Sequence, residues 1–242
     1  MPVSAYNTAR TLLTQSPDLP NGERTDFVQW LMDQAIDLAI KEDLGMACCD
    51  LTSQAIVKPG TIANGTVYLK QPAIIAGLGV FNQVMRRINP KIEVVPTISD
   101  GFYLTSVPHV IARVNGPASC ILKAERLALN LLQRMSGIAT WTRQFVELAK
   151  PYGIEILDTR KTTPALRAFE RYAVAIGGGA NHRFGLYDAI LVKDNHIKFA
   201  GNISSAVSSV RQISPHLAIE VETTTLAEIS EALSCRVEKI ML

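Results

Sequence analysis

The sequence predicts an α/β protein in two parts, and three features carry that expectation. From about Pro151 onward, short apolar segments alternate with amphipathic ones, the pattern of a parallel β/α sheet or barrel. Between Thr61 and Pro117 the segments are instead short, β-branched or alternating, and bounded by Gly, Pro, Asn and Asp. That is the pattern of a small, largely antiparallel sheet in an α+β domain. A long helical stretch joins the two parts. The expected boundaries are a loosely held extension over 1–24, an N-terminal domain over 25–125 and a β/α domain over 126–242.

Taken in order, Thr25-Asp26 reads as a helix cap, and Phe27, Leu31, Ala35 and Leu38 then recur at helical spacing, with Gly45 placed to close the helix. Glu42 and Asp43 belong to its solvated end. The segments GTVYLK, IEVVPT, FYLTSV and HVIARV read as strands, interrupted by one helix near Val80–Ile88. After Pro117, Leu122, Ala124, Leu127, Leu131 and Leu132 form an apolar helical stripe, and Gly137 is the expected break. Then IEILD, AILVKD, IEVE and VEKIML read as strands, separated by the helices PALRAFERYAVAI, ISSAVSSVRQI and LAEISEAL.

Composition narrows the function classes. The chain has 242 residues, 48% of them hydrophobic and 19% charged, and a formal net charge of +2, so a long polyanionic partner such as nucleic acid is not expected. The longest apolar run, Ala73 to Phe81, is too short to span a bilayer, so no membrane partner is expected either. Cys48, Cys49, Cys120 and Cys235 show no metal-finger or redox spacing and read as reduced thiols of a cytoplasmic protein.

Against that near-neutral background, residues 157–196 concentrate Arg160, Lys161, Arg167, Arg183 and Lys193, with His182 and His196 among them. Asp158, Thr159, Arg160 and Lys161 follow one predicted strand, Lys193 and Asp194 end a second, and Glu222 ends a third. The carboxyl ends of parallel strands are where β/α folds place their chemistry. Cations there, beside free helix amides, suit a compact anion. Bland readings stand beside this one. The Thr162-Thr163-Pro164 loop can be a solvated cap. Gly177-Gly178-Gly179 reads better as a tight connection than as a phosphate cradle. Asp194 can neutralise Lys193 within the protein, and Arg126 can lie on a charged helix face.

The motifs LDTRKTTPALR, GGGANHR, ILVKDNHI and IEVE, in this order, with AIKEDLG, AGLGVF and GPASCILKAERLALNLLQRMSGIAT upstream, resemble the quinolinate phosphoribosyltransferases. The resemblance runs from about Val28 to Leu242. It implies an N-terminal α/β sandwich followed by an incomplete α/β barrel, and a homodimer, or a higher oligomer of such dimers, in which each sandwich faces the partner's barrel. It implies transfer of phosphoribosyl from phosphoribosyl pyrophosphate (PRPP) to quinolinate, with loss of carbon dioxide and pyrophosphate, giving nicotinate mononucleotide for NAD synthesis. Mg²⁺ would accompany PRPP. By motif, Thr159, Arg160, His182, Arg183 and Lys193 would belong to the substrate site, with Arg126 reaching in from the other subunit. Lys161 would meet the sugar phosphate or pyrophosphate and Glu222 the ribose hydroxyls and Mg²⁺, these two being the catalytic members. Related transferases with another acceptor, such as nicotinate or that of a molybdenum-transport-associated paralogue, and an inactive dimerising relative are the alternatives.

Three departures accompany the resemblance. Ala47-Cys48-Cys49-Asp50 stands where the family usually has Gly-Asp, and Ala165 stands where glycine is common. The family's sequence also continues past the motif ending at Leu242 into Asp-Asn and phosphate-binding loops. An incomplete barrel, an acidic partner missing from Glu222 and low activity are the expectations that follow.

Overall fold

The structure is a computed structural model and describes residues 21–242, with the side chains of 21–26 left aside. Most of the extension expected over 1–24 therefore lies outside the described residues. The chain divides into two compact units, Asn21–His182 and Arg183–Leu242.

The first unit begins with α1 (Asn21–Leu44), which starts upstream of the expected Thr25-Asp26 cap and turns at Gly45, whose φ is +67°. The helix has apolar residues on more than one face, and the structure buries a different stripe from the predicted one. Val28, Met32, Ile36 and Ile40 are buried, whereas Phe27 and Leu38 are exposed. Both stripes repeat at the same spacing, so periodicity alone left the phase open. Arg87 holds α1 in register through Asp37 (2.7 Å) and Asp33 (3.2 Å). The Ala47–Asp50 departure ends in a second helix, α2 (Leu51–Ile56), where the Asp50 carboxylate caps the N–H groups of Thr52 and Ser53, both at 3.1 Å.

The sheet of this unit pairs β1 (Ile62–Leu69), β5 (His109–Pro117) and β3 (Glu93–Pro96) in the order β1-β5-β3, all antiparallel. Burial along β1 alternates residue by residue, so one face looks at helices and the other at solvent. β2 (Ala73–Ile74) and β4 (Tyr103–Leu104) form a separate short pair. The helices are α3 (Leu78–Ile88) and α4 (Ala118–Ala149), and with the sheet they make the layered α/β arrangement that the sequence predicts.

α4 runs through Gly137 without a break, contrary to the expected interruption. A glycine inside a helix costs up to about 1 kcal/mol relative to alanine, and tertiary anchoring on both sides of it exceeds that. Ser136 Oγ accepts from Ala76 N (3.1 Å) and Thr140 Oγ1 from Ile74 N (2.9 Å), while Met135 and Ala139 are fully buried. Leu131, Leu132 and Ala124 are buried as expected, but Leu122 is exposed.

The strand expected at IEILD reduces to one parallel bridge, Leu157 to Ala180, closed by Ala180 N to Ile156 O (2.8 Å) and Asp158 N to Ala180 O (3.0 Å). Its partner is the end of the triple glycine, too short to extend the ladder. α5 (Arg167–Ile176) precedes that glycine run. A Cβ at Gly177 would lie 2.6 Å from both Ala139 O and Thr142 Cβ, so the glycine permits contact with the α4 backbone.

In the second unit β6 (Ile190–Val192), β7 (Ile219–Glu222) and β8 (Lys239–Met241) form a parallel sheet in chain order. Three helices connect them: α6 (Asp194–Ala200), which the sequence did not announce, α7 (Ile203–Ile213) and α8 (Leu226–Ser234). Val192, Ile203, Val207, Ile219, Val221 and Ala232 form the core between sheet and helices. Thr225 and Glu228 cap α8 reciprocally.

Two alanine substitutions should separate the roles of these glycines. At Gly137 nothing lies within 4 Å of an added Cβ, so Gly137→Ala should stabilise by about 0.5–1 kcal/mol. Gly177→Ala should destabilise by about 1–3 kcal/mol through overpacking. Urea unfolding midpoints measure both.

Candidate active site

The predicted anion-binding residues sit in each unit with their own supports. In the first unit, Thr159, Arg160 and Lys161 follow Asp158 in a loop that folds on itself. Thr159 Oγ1 accepts from Lys161 N at 3.1 Å, leaving the Lys161 side chain exposed. Arg160 Nε is buried and has no hydrogen-bond partner among the described residues. Buried donors are nearly always satisfied, so such an atom is a place where a ligand acceptor fits.

α5 holds this loop. Arg167 donates to Thr162 Oγ1 (3.0 Å) and to Arg160 O (3.4 Å), and Glu170 accepts from Thr163 N (3.2 Å). Glu170 also pairs with Arg134 of α4, whose guanidinium reaches Thr163 as well. The loop is therefore held by side chains of α4 and α5, while Lys161, Thr163, Pro164 and Ala165 stay exposed, and among the described residues no loop side chain caps α5. Burial disfavours ionised Glu170, but the bonds from Arg134 and Thr163 outweigh it and hold its carboxyl below the ordinary value of 4.5.

His182 ends the first unit, and the peptide groups before and after it are both hydrogen-bonded. Its N–H donates to Asp158 Oδ1 (2.7 Å), and its carbonyl accepts from Arg171 Nη2 (2.6 Å). With the Asn181 amide oriented to satisfy its surroundings, Asn181 donates to Asp158 Oδ2 at 2.6 Å. Burial pushes the Asp158 carboxyl above its ordinary value, with the Arg171 charge and the His182 N–H acting against it. Arg126 lies on an exposed part of α4. An open groove of about 500 Å³ beside α4, lined by residues including Trp141, Phe145 and Leu157, is mostly apolar and offers little to an anion.

In the second unit Arg183 is buried, at 7% exposure, and donates to Ala189 O (3.3 Å). The turn after it is closed by Asp188, which accepts from Phe184 N (2.7 Å) and Gly185 N (2.8 Å). Lys193 pairs with Glu222 across neighbouring strand ends (3.8 Å), whereas Asp194 pairs with Lys198 (3.1 Å). The internal partner of Lys193 is thus Glu222 and not the adjacent Asp194. His196 Nδ1 accepts from Lys193 N at 2.9 Å. No group of three or more His, Cys, Asp or Glu among the described residues could hold a metal alone.

Arg171, Glu170, Arg134 and Asp188 were missed by sequence reasoning, and Asp158 was placed at the strand end without its supporting role. Asp158 and Asp188 flank the predicted cations in sequence, and that adjacency was the available signal. Arg134 and Glu170 are 36 positions apart, and nothing local pairs them.

Family comparison gives an independent result. Residues 138–242 match the model of the quinolinate phosphoribosyl transferase C-terminal domain, and residues 50–136 match that of the N-terminal domain. The chain belongs to the quinolinate phosphoribosyltransferase family. It is 46% identical over 174 residues to a probable carboxylating nicotinate-nucleotide pyrophosphorylase of Synechocystis sp., covering 72% of this chain and 59% of that relative. To the corresponding Bacillus subtilis protein it is 42% identical over 201 residues, covering 83% and 68%. The structure of NadC from Streptococcus pyogenes aligns at a TM-score of 0.81 with 37% identity, covering 94% of this chain and 77% of that one. Against the Synechocystis relative, the chain thus spans less than two thirds of the family member's length.

Membership in this family makes the backbone at Ala165 informative. Its φ is +65°, the left-handed region that favours glycine. Ala165→Gly should relieve strain of about 1–2 kcal/mol, partly offset by unfolded-chain entropy of about 0.4–1 kcal/mol. A rise in the unfolding midpoint checks this. For Glu170, whose folded value is depressed, the stabilisation is present above its unfolded value and is lost as pH falls through the folded one. Glu170→Gln should lower stability at neutral pH and flatten the acid limb of a stability–pH curve.

Proposed function

We propose that this chain transfers the phosphoribosyl group of PRPP to the ring nitrogen of quinolinate and releases carbon dioxide and pyrophosphate. The observation that carries this reading is the orphan donor at Arg160. A buried guanidinium nitrogen without an acceptor among the described residues, at the head of a supported loop, suits a substrate carboxylate. Family membership supplies the reaction class.

The pyridine nitrogen attacks the anomeric carbon, the bond from that carbon to pyrophosphate oxygen breaks, and the leaving group takes the electron pair. The ring nitrogen becomes cationic. The neighbouring carboxylate then leaves as carbon dioxide, and the ring carbon takes a proton to give nicotinate mononucleotide. No protein nucleophile is required. In this scheme Arg160, His182, Arg183 and Lys193 bind the dicarboxylate, and Thr159 belongs to the same substrate loop. Lys161 binds the phosphates, and Glu222 binds the ribose hydroxyls and favours positive charge on the sugar. Mg²⁺ carried by the diphosphate would be held by Glu222 and would stabilise charge on the leaving group. The Lys193–Glu222 pair is nearly half exposed on both sides, a setting in which an ion pair is worth little and is readily exchanged for substrate.

The chain acts as a homodimer in this reading, with exposed Arg126 entering the site of the partner subunit. A cytoplasmic location is supported by four free cysteines. No described helix is long and apolar enough to cross a membrane.

Direct measurement of nicotinate mononucleotide from quinolinate, PRPP and Mg²⁺ tests the activity, and absence of product would refute it. Arg160→Ala should cost about 2–5 kcal/mol of quinolinate binding, the range for removing one side of a buried charged contact. Mixed Arg126→Ala and Arg160→Ala chains should recover activity through heterodimers.

A further inference from the structure

Asp158 and Arg171 form an ion pair at 3.2 Å with both side chains 5% exposed. Taking two charges out of water is costly, and a well-packed apolar pair often stabilises a fold as well or better. What this pair does that an apolar pair cannot is bond the two peptide groups that flank His182, one on each side of its Cα. The Asp158 carboxylate takes the N–H of His182 and the Arg171 guanidinium takes its carbonyl. With the peptide groups before and after it both held, the Cα–Cβ direction of His182 is set.

The same two residues belong to the elements that hold the neighbouring loop. Asp158 immediately precedes Thr159, Arg160 and Lys161. Arg171 lies one turn along α5 from Arg167, which bonds Arg160 O, and next to Glu170, which bonds Thr163 N. One short helix thus sets both His182 and the Arg160 loop, by separate side chains.

We propose that Asp158 and Arg171 are positioning residues that fix His182 relative to Arg160 and so determine how the pyridine dicarboxylate is oriented. The role assigned to His182 rests on the quinolinate reading. The Thr159–Pro164 loop has its own supports in Arg167, Glu170 and Arg134, so loss of the pair displaces His182 more than Lys161.

Arg171→Lys keeps the charge and removes the planar two-pronged reach. The folded variant should show a displaced His182 imidazole resonance, assigned by comparison with His182→Ala. Quinolinate affinity should fall about tenfold or more, the scale of loss when a supporting contact is disturbed, while PRPP affinity stays at the parent value. General destabilisation would weaken both ligands together. If Arg171→Lys does not fold, the double substitution Asp158→Asn with Arg171→Gln removes both charges and leaves no lone buried ion. It should fold and show the same displaced resonance and selective loss. A parent-like His182 resonance in the folded variant would overturn the proposal, and so would equal loss of both ligands. If the parent binds no quinolinate, the acceptor assignment fails, and the His182 resonance still decides whether the pair positions that residue.

Discussion

The first unit depends on how closely α4 lets other chain segments approach it between Arg134 and Thr142. On one side Met135 packs against Gly77, where a Cβ would lie 2.7 Å from the methionine sulfur. Ser136 and Thr140 satisfy backbone N–H groups of Ala76 and Ile74 that would otherwise be buried without partners. On the other side the backbone at Ala139 touches Gly177, and Arg134 reaches Glu170 and Thr163. One helix therefore carries the small sheet on one face and the Arg160 loop on the other. Asp100 adds a second tie, since it accepts from Gly77 N (2.8 Å), Leu78 N (3.1 Å) and Tyr172 Oη (2.6 Å). That links the start of α3 to α5. Burial, together with the Asp100 charge, pushes the Tyr172 hydroxyl up and keeps it a donor.

The charges of the candidate site divide into two kinds. Asp158, Arg171 and Glu170 are committed to protein partners and set geometry. Lys161 and Arg126 are exposed, and Arg160 keeps a donor unassigned. Lys193 and Glu222 hold each other loosely across strand ends. The proposed reaction with polyanionic substrates needs both kinds, because cations that bind a ligand must be aimed by residues that do not.

Much of this was legible in the sequence. The change from alternating β-branched segments to β/α alternation marks the change from antiparallel to parallel pairing. The Arg160-Lys161 loop, His182-Arg183 and the strand-end Lys193 and Glu222 stand out because charge gathers at predicted strand ends and beside a glycine run in a nearly neutral chain. Other features were hidden for physical reasons. α1 offered two apolar stripes at the same spacing, and only packing chose between them. Gly137 carried a local breaker signal that anchoring by Ser136 and Thr140 overrode. The supports of the site, Asp158 with Arg171 and Arg134 with Glu170, join residues distant in sequence and look like ordinary surface charge until the chain is folded. The unusual backbone at Ala165 was visible only as an alanine in a glycine position.

The central claim is that the supported cations recognise a pyridine carrying two carboxylates. Titration calorimetry of the intact chain with quinolinate and with nicotinate tests it most directly. The second carboxylate adds charge-assisted hydrogen bonds worth about 1.5–3 kcal/mol, so quinolinate should bind at least about tenfold more tightly. Nicotinate binding as tightly as quinolinate, or more so, would contradict the account.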